Sequence, residues 1–169
     1  GNLDLSTSSP SNKCKVFGTF GVSSGKWYYE VTVGANHRGS VGWATSQDSN
    51  LAQAPGDSTG DYSLTFDTNK IYQGSYTSGY GTAFFTGMVI GVRVDATAGT
   101  IAFSQNGTDK GDAFTGQTGK TFWPIVGDAS SGGTFDGSVN FGQRAFVYSA
   151  PSDYKALCTT NLPTPTIAD

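Results

Sequence analysis

The sequence has 169 residues, a net charge of −3 and a pI near 4.9. A chain of this length suits one domain, and its acidic balance argues against nucleic acid or an anionic membrane as a partner. No apolar run is long enough to cross a bilayer. Aromatic residues make up 13%, charged residues only 14%, and there are 24 glycines. Many turns beside many aromatic and β-branched residues are typical of an all-β protein.

Short strands alternate with turns through the first third of the chain. Leu3 and Leu5 alternate with polar residues, which favours an edge strand, and residues 13–20 contain a second short strand. The strongest strand signal is the sequence KWYYEVTV at residues 26–33, where apolar and polar positions alternate with a period of two. One face of that strand carries Trp27, Tyr29, Val31 and Val33. A loop is predicted over residues 34–40 and a strand over residues 41–45.

The middle of the chain contains the longest predicted loop, residues 47–60. It has no apolar periodicity, and long loops on a rigid framework often carry function. Strands at residues 62–66 and 70–73 form a predicted hairpin. Residues 74–81 then form a predicted loop that presents Tyr76 and Tyr80.

The central feature of the sequence is a hairpin within residues 87–107. Met88, Ile90, Val92 and Val94 alternate along its first strand, and the second strand follows a turn at residues 95–99. Asn106-Gly107 closes it, a strong hairpin signal because both residues tolerate a positive φ. The sequence therefore predicts an antiparallel pair lying across a hydrophobic core.

The final third predicts loops at residues 108–119 and 127–137 around a strand at 121–126. Pro124 predicts an edge or bulge position for that strand, because proline cannot donate to a sheet ladder. A strand over residues 138–142 is expected to continue through 144–148. A turn of helix is expected at 151–157, and a Pro/Thr linker at 161–169. Residues 1–160 then form a single sandwich domain.

The sequence lacks a recognisable catalytic or metal-binding set. His37 is the only histidine, lies in a Gly-flanked loop, and fits a solvated position better than a catalytic triad or a metal site. Glu30 is the only glutamate, so the carboxylate pair of a glycosidase is not evident, and a neighbouring lysine or backbone donor is its expected partner. We therefore expect no enzyme, no cofactor and no metal. Cys14 and Cys158 are either a disulfide or two buried free thiols.

Aromatic residues in loops are the remaining candidates for function. Large rings among Ser, Gly and Asn are typical of recognition loops. Alternatively, most of these rings belong to the core or to cross-strand pairs. The candidates to stand exposed are Trp43, Tyr62, Tyr72, Tyr76, Tyr80 and Phe135. For Trp43 the alternative is a core position, because it lies in a strong strand, as Trp27 and Trp123 do.

The strong segments, taken in order, resemble the SPRY domain. They are GKWYYEV at 25–31, VGW at 41–43, GMVIGVRVD at 87–95, GTIAFSQNG at 99–107, GDAF at 111–114, WPIV at 123–126 and VNFGQ at 139–143. The resemblance implies a bent β-sandwich of two antiparallel sheets, similar to the concanavalin-like jelly roll. It also implies a non-catalytic module that binds partners through loops at one end. The implied ligand-binding candidates are Asn36, His37, Arg38, Tyr62, Tyr76, Tyr80 and Phe135, together with the 47–60 loop.

The C-terminal sequence from Phe141 to Ile167 resembles SPRY-type domains of bacteriophage and virus-like structural proteins. This resemblance implies a host-attachment module on a virion surface, on a tail fibre or as a capsid decoration. Its ligand would be a glycan or protein of the host. One alternative is a SPRY adaptor that binds a short peptide of a protein partner. Another is a structural virion domain whose loops pack against neighbouring subunits, with oligomerisation through the parent protein.

Overall fold

A computed structural model describes residues 3–7, 13–48 and 50–162. Among these residues the chain forms thirteen β-strands and a single 3₁₀ turn, Thr159–Asn161. The strands are β1 (Leu3–Ser6), β2 (Cys14–Phe17), β3 (Lys26–His37), β4 (Gly39–Ala44), β5 (Asp61–Thr65), β6 (Lys70–Tyr72), β7 (Ser75–Thr77), β8 (Val89–Asp95), β9 (Thr100–Gln105), β10 (Thr108–Phe114), β11 (Trp123–Asp128), β12 (Phe135–Asn140) and β13 (Lys155–Ala156).

The strands form two sheets that face each other. The larger sheet has the order β1-β12-β3-β8-β9-β10, with β13 paired to β3, and the smaller has the order β2-β11-β4-β5-β6-β7. Every pairing is antiparallel except the short one between β13 and β3. The predicted all-β sandwich of two antiparallel sheets is confirmed.

The core between the sheets follows the period-two pattern of the sequence. The apolar face of β3 meets the inward residues of β4 and β5, and the Tyr29 and Trp43 rings pack edge to face with centroids 5.3 Å apart. The central hairpin is also as predicted, since β8 pairs with β9 around the turn at residues 95–99. Asn106 and Gly107, both with positive φ, form the next turn, which joins β9 to β10. The Asn106 side chain fixes this turn by accepting a 2.9 Å hydrogen bond from the Val89 N–H. The sequence pattern therefore placed the core correctly.

Four predicted loops are partly strands. β3 continues to His37, β7 occupies residues 75–77, and β10 spans residues 108–114. In the loop predicted at 127–137, β11 continues to Asp128 and β12 begins at Phe135. All of β7 and most of β10 lie exposed at sheet edges. Apolar alternation cannot mark a strand whose side chains face water on both sides, so these segments carried no strand signal.

Pro124 lies in an internal strand, contrary to the edge position expected. β11 runs between β2 and β4, and Pro124 is opposite Trp43 of β4. The Gly18 N–H donates to the Pro124 carbonyl at 2.8 Å, so the side of Pro124 without an N–H faces β2. The acceptor that faces the proline nitrogen is the Gly18 carbonyl, just beyond the end of β2 at Phe17, and it accepts instead from the Gln47 side-chain amide at 3.0 Å.

The C-terminal part is a strap across the outer face of the larger sheet. Residues 144–148 are not the predicted continuation of a strand; the Val147 and Tyr148 N–H groups donate to the Glu30 carboxylate at 2.8 and 2.9 Å. Glu30 is buried and also accepts from the Tyr28 hydroxyl at 3.1 Å. Backbone donors were one of the two kinds of partner expected for it. Residues 151–157 form a turn and β13 rather than helix.

Both cysteines are free thiols, so the disulfide alternative is wrong. The two are half-buried. At the start of the predicted linker, Leu162 packs against the core cluster, and Asn161 donates to the Ala156 carbonyl at 2.9 Å. Residues 163–169 lie outside the described part of the chain.

The 47–60 loop covers the outer face of the smaller sheet. Ser40 and Ser63 both donate to the Pro55 carbonyl, at 3.0 and 2.7 Å. Beneath the loop, the fully buried Lys15 ammonium pairs with Asp61 at 3.0 Å and with Asp48 at 2.9 Å. This loop is therefore part of the framework, with its backbone and a buried charge network holding it down.

Among the described residues, no helix combines the length and apolar character needed to cross a membrane. In the same residues, no group of three or more His, Cys, Asp or Glu side chains could hold a metal ion.

Candidate functional site

The candidate site is at the end of the sandwich where β3 passes into β4. We call the rim the surface formed by residues 36–38, Phe66, Phe85 and residues 130–133. Here the chain crosses from β3 of the larger sheet to β4 of the smaller sheet, and we call this crossing the β3–β4 corner. The corner stands between the 129–134 loop and the turn that begins at Phe66. Backbone bonds fix this arrangement: Arg38 N–H donates to the Thr134 carbonyl at 3.2 Å, and Ala129 N–H donates to the Arg38 carbonyl at 2.9 Å.

The base of the β3–β4 corner is tightly packed. A Cβ on Gly39 would lie 2.2 Å from the Phe135 ring, so only glycine allows this approach. On the other side, the Asn36 N–H donates to an Asp136 carboxylate oxygen at 2.5 Å. Asn36, His37 and Arg38 are all exposed beyond this base. The sequence-predicted trio therefore stands exposed at the tip of the β3–β4 corner, above a tightly packed base.

Arg38 carries the charge of the rim. Its guanidinium carbon lies 5.7 Å from the centroid of the Phe66 ring, a cation–π contact, and its Nη1 is 3.4 Å from the Ser130 hydroxyl oxygen. Within the described residues, Arg38 forms no ion pair with a carboxylate. The aromatic ring and the hydroxyl position the guanidinium, and its positive charge also acts on the buried Asp128 carboxyl, where it favours the ionised form.

Two carboxylates near the β3–β4 corner accept hydrogen bonds from backbone N–H groups. Asp128 is fully buried, accepts from the Ser130 N–H at 2.9 Å, and burial raises the pKa of this carboxyl. Asp136 accepts from the Asn36 N–H, as described above. Both acids organise the loops of the rim.

Phe85 adds an apolar group that the sequence analysis missed. Its side chain is 51% exposed, and its segment is held in place by two backbone bonds. Phe84 N–H donates to the Phe66 carbonyl at 2.9 Å, and Gly87 N–H donates to the Val33 carbonyl at 2.8 Å. The adjacent Phe84-Phe85 pair was the available signal, because two consecutive rings in extended chain point to opposite sides.

Tyr62 and Phe135 are buried in the core, so the expectation that they stand exposed is wrong. Trp43 is buried too, which fits its alternative as a core residue of a strong strand. Tyr62 stacks on Tyr72 with centroids 4.6 Å apart and meets Phe114 edge to face at 5.3 Å. The Lys120 ammonium donates to the Tyr62 hydroxyl at 2.9 Å and to Gln117 Oε1 at 2.6 Å. These side chains satisfy one another and leave little for a ligand.

Tyr80 is also structural. Its hydroxyl donates to the Gly111 carbonyl at 2.5 Å and accepts from the Phe103 N–H at 3.2 Å. It thereby fills the gap where β9 and β10 slip out of register after Asp109. Lys70 lies over both the Tyr80 and Phe114 rings. We call this group the closed aromatic cluster, comprising Tyr62, Tyr72, Tyr80, Phe114, Lys70 and Lys120.

Tyr76 is 51% exposed but does not belong to the rim. It lies on β7 opposite Ile71, at the edge of the smaller sheet. Burial and the nearby Asp57 carboxylate raise the pKa of its hydroxyl. The 47–60 loop is likewise away from the rim, so the structure brings together only part of the predicted site.

An apolar groove of about 430 Å³ opens along the edge of the sandwich between β1 and β2. Its walls include Leu3, Leu5, Val16, Phe17, Pro124 and Leu157. Charged side chains are missing from the described part of this lining, so the groove offers apolar contact and little directional chemistry.

The sequence matches a known protein family over most of its length. The family model described as SPRY domain matches residues 26–144, which is more than half of the chain. The chain belongs to the SPRY domain family. The solved SPRY domain of human HERC1 superposes with a TM-score of 0.67 over 85% of this chain and 91% of that one, at 20% sequence identity. That likeness supports the fold.

Curated relatives of this SPRY domain include plant and animal proteins. E3 ubiquitin-protein ligase RKP of Arabidopsis thaliana is 30% identical over 152 residues, which is 87% of this chain and 11% of the ligase. Ran-binding protein 9 of Xenopus tropicalis is 35% identical over 127 residues, 73% of this chain and 23% of that protein. The SPRY domain thus spans a small part of these relatives' length.

These relatives are eukaryotic cellular proteins. They give no support to the phage type of SPRY domain expected from the C-terminal sequence, or to a virion surface, a tail fibre or a capsid. The SPRY domain is a protein-interaction module, which fits the adaptor alternative better.

Proposed function

We propose that this SPRY domain is an adaptor that docks a short segment of a protein partner at the rim. The observation that carries the proposal is the pairing of two accessible anchors on a rigid end of the sandwich. Arg38 is stacked on Phe66, and Phe85 stands 51% exposed on a neighbouring backbone-anchored segment. Arginine and aromatic side chains are the residues that most often dominate binding energy at protein interfaces.

Rigidity supports the same proposal. Backbone hydrogen bonds hold three segments in place: the β3–β4 corner, the 129–134 loop and the Phe85 segment. A surface that is already ordered loses little conformational entropy when a partner binds, so even a short peptide can gain useful affinity.

A glycan ligand has weaker support. It relied on Tyr62, Tyr76 and Tyr80 forming one aromatic surface. Tyr62 is buried, Tyr80 bridges two strands, and Tyr76 lies on β7 away from the rim. These rings do not provide a stacking platform for sugars.

The test is selection of a displayed library of random twelve-residue peptides on the purified chain. We expect recovered peptides to bind the wild type in fluorescence anisotropy. Replacing Phe85 with Ser should weaken them at least tenfold, and the matched variant Tyr76→Ala should bind normally. Recovery of no binding peptide, or loss of binding in Tyr76→Ala but not in Phe85→Ser, would overturn the rim as the docking site.

A further inference from the structure

We propose that the rim reads an Asp or Glu side chain in an extended partner segment, with Arg38 as the group that receives it. This inference rests on the proposed peptide docking and adds the chemistry of the peptide. The cationic side chains near aromatic rings differ in whether they have hydrogen-bond partners.

Three of these cations can be compared directly. Lys70 donates to the Ala113 carbonyl at 2.5 Å, and Lys120 donates to Tyr62 and Gln117. Both lie over rings of the closed aromatic cluster. Arg38 also lies over a ring, but among the described residues its one side-chain hydrogen bond is the long contact to Ser130. Lys26, over the Tyr154 ring, likewise makes no side-chain hydrogen bond to a described residue, so Arg38 is one of two such cations left open and the one that lies on the rim.

Arg93 shows what the missing partner of Arg38 would be. Its Nη2 binds both carboxylate oxygens of Asp109, at 2.7 and 2.8 Å. A guanidinium presents a planar fork of donors that matches a carboxylate, and stacking on a ring leaves that fork free at the edges. The Phe66 ring therefore holds Arg38 in a conformation suited to receive a carboxylate from outside.

The surroundings favour a carboxylate over a phosphate group. Phosphorylated segments are usually bound by clusters of basic residues, and Arg38 is the sole Arg or Lys among the rim residues. Asp136 and the buried Asp128 lie beside the same β3–β4 corner, so a doubly charged anion would meet more repulsion than a singly charged one. A singly charged side chain needs one guanidinium.

An internal acidic residue suits this surface better than a chain terminus. Arg38 and Phe85 are on different segments of an open end, and no described residue covers either side chain completely. An extended segment can place one side chain on Phe85 and another on Arg38 as it crosses.

The experiment uses the peptides recovered by the library selection, resynthesised with amidated C-termini. Each Asp or Glu is replaced in turn by Asn or Gln, and every peptide is titrated against wild type, Arg38→Gln and the control Arg144→Gln. We expect one acidic position to be essential. Its amide should bind the wild type about tenfold more weakly, as should the acidic peptide to Arg38→Gln. Combining both changes should cost little more.

A charge exchange provides an independent check. Arg38→Glu should lose the acidic peptide and bind a version in which the essential acid is replaced by Lys. Thermal melts confirm that each variant is folded, and Arg38→Lys should retain part of the affinity.

The outcomes separate this inference from the docking proposal. Peptides that need Phe85 but bind Arg38→Gln normally overturn the carboxylate inference and leave docking at the rim intact. Dependence on a free C-terminus in place of an acidic side chain also overturns it. Recovery of no peptide overturns both.

Discussion

The rim and the closed aromatic cluster contain the same kinds of side chain and differ in what those side chains face. In the closed cluster, Lys120 and Tyr62 bond to each other and to Gln117, and Tyr80 bridges two backbone groups. At the rim, Arg38 rests on Phe66 and Phe85 is half exposed.

The types of side chain in a region therefore do not decide which of them are free to bind a partner. Tyrosine among Ser and Gly indicated recognition loops, yet the tyrosines near the ends of the strands mostly stabilise the fold. The accessible anchors are an arginine and a phenylalanine on backbone-anchored segments. Substitutions should therefore affect folding in the closed cluster and binding at the rim.

The largest effect is expected from Tyr62→Ala. Removing a fully buried ring that packs on Tyr72 and Phe114 should lower the free energy of unfolding by about 3–5 kcal/mol. Urea denaturation monitored by fluorescence measures this change. Tyr76→Ala is the matched control and should cost no more than about 1 kcal/mol. Equal losses in the two variants would contradict the distinction between the regions.

Tyr80→Phe should have the next largest effect. The ring remains, but the Phe103 N–H and the Gly111 carbonyl lose their shared hydroxyl partner, which should cost about 1–3 kcal/mol. Hydrogen exchange should also become faster at the Phe103 amide. Tyr76→Phe serves as the control, and an unchanged Phe103 exchange rate would show that the hydroxyl does not bridge the strands.

The same hydroxyl predicts a dependence on alkaline pH. Burial raises the pKa of Tyr80 to about 12 from an ordinary value of 10.0. Between these values the unfolded chain releases the proton and the folded chain keeps it, so stability should fall as pH rises from about 10 to 12. Denaturation at pH 8, 10 and 11 should show a shallower decline for Tyr80→Phe than for wild type. Parallel declines would refute the assignment.

Lys120→Met and Arg38→Gln should act in opposite ways. The first removes two hydrogen bonds in the closed cluster and should cost about 1 kcal/mol of stability with peptide affinity unchanged. The second removes an exposed guanidinium and should change stability by less than about 0.5 kcal/mol. Its effect should appear in peptide affinity. A stability loss in Arg38→Gln as large as that in Lys120→Met would mean that Arg38 supports the fold.

The smallest effect on stability, and the sharpest test of geometry, is expected from Gly133→Ala. A Cβ at Gly133 would lie 2.0 Å from Arg38 Cδ, so the arginine must move, while a Cβ at Gly132 would meet nothing within 4 Å. Gly133→Ala should therefore weaken the selected peptides, whereas Gly132→Ala should not. Identical affinities would show that the position of Arg38 over Phe66 is unimportant for binding.

Much of the fold could be predicted because burial leaves a periodic record in sequence. The alternation in β3 and β8 predicted the larger sheet and its central hairpin. Asn106-Gly107 predicted the turn that follows β9. Edge strands such as β7 and β10 left no such record. Pro124 misled because the carbonyl that its missing N–H would have served accepts from the Gln47 side chain, a long-range contact that the sequence pattern does not reveal.

The candidate site could be predicted only in part. The tip at Asn36, His37 and Arg38 was identified from the family resemblance, and it is exposed as expected. Phe85 was missed, and Tyr62 and Phe135 were assigned to the surface although both are buried. A ring in a strand can point inward or outward, and near strand ends the alternation is too short to decide.

The sequence by itself determined the two-sheet sandwich, its central hairpin and the family, because these depend on local periodicity, turn chemistry and ordered motifs. Only the tertiary structure decided which cations near aromatic rings lack a strong hydrogen-bond or ion-pair partner. Whether a lysine or arginine near a ring is satisfied depends on groups distant in sequence, as Gln117 and Lys120 are from Tyr62. Availability for binding is therefore a property of the folded surface, where neighbours compete for the same donors and acceptors.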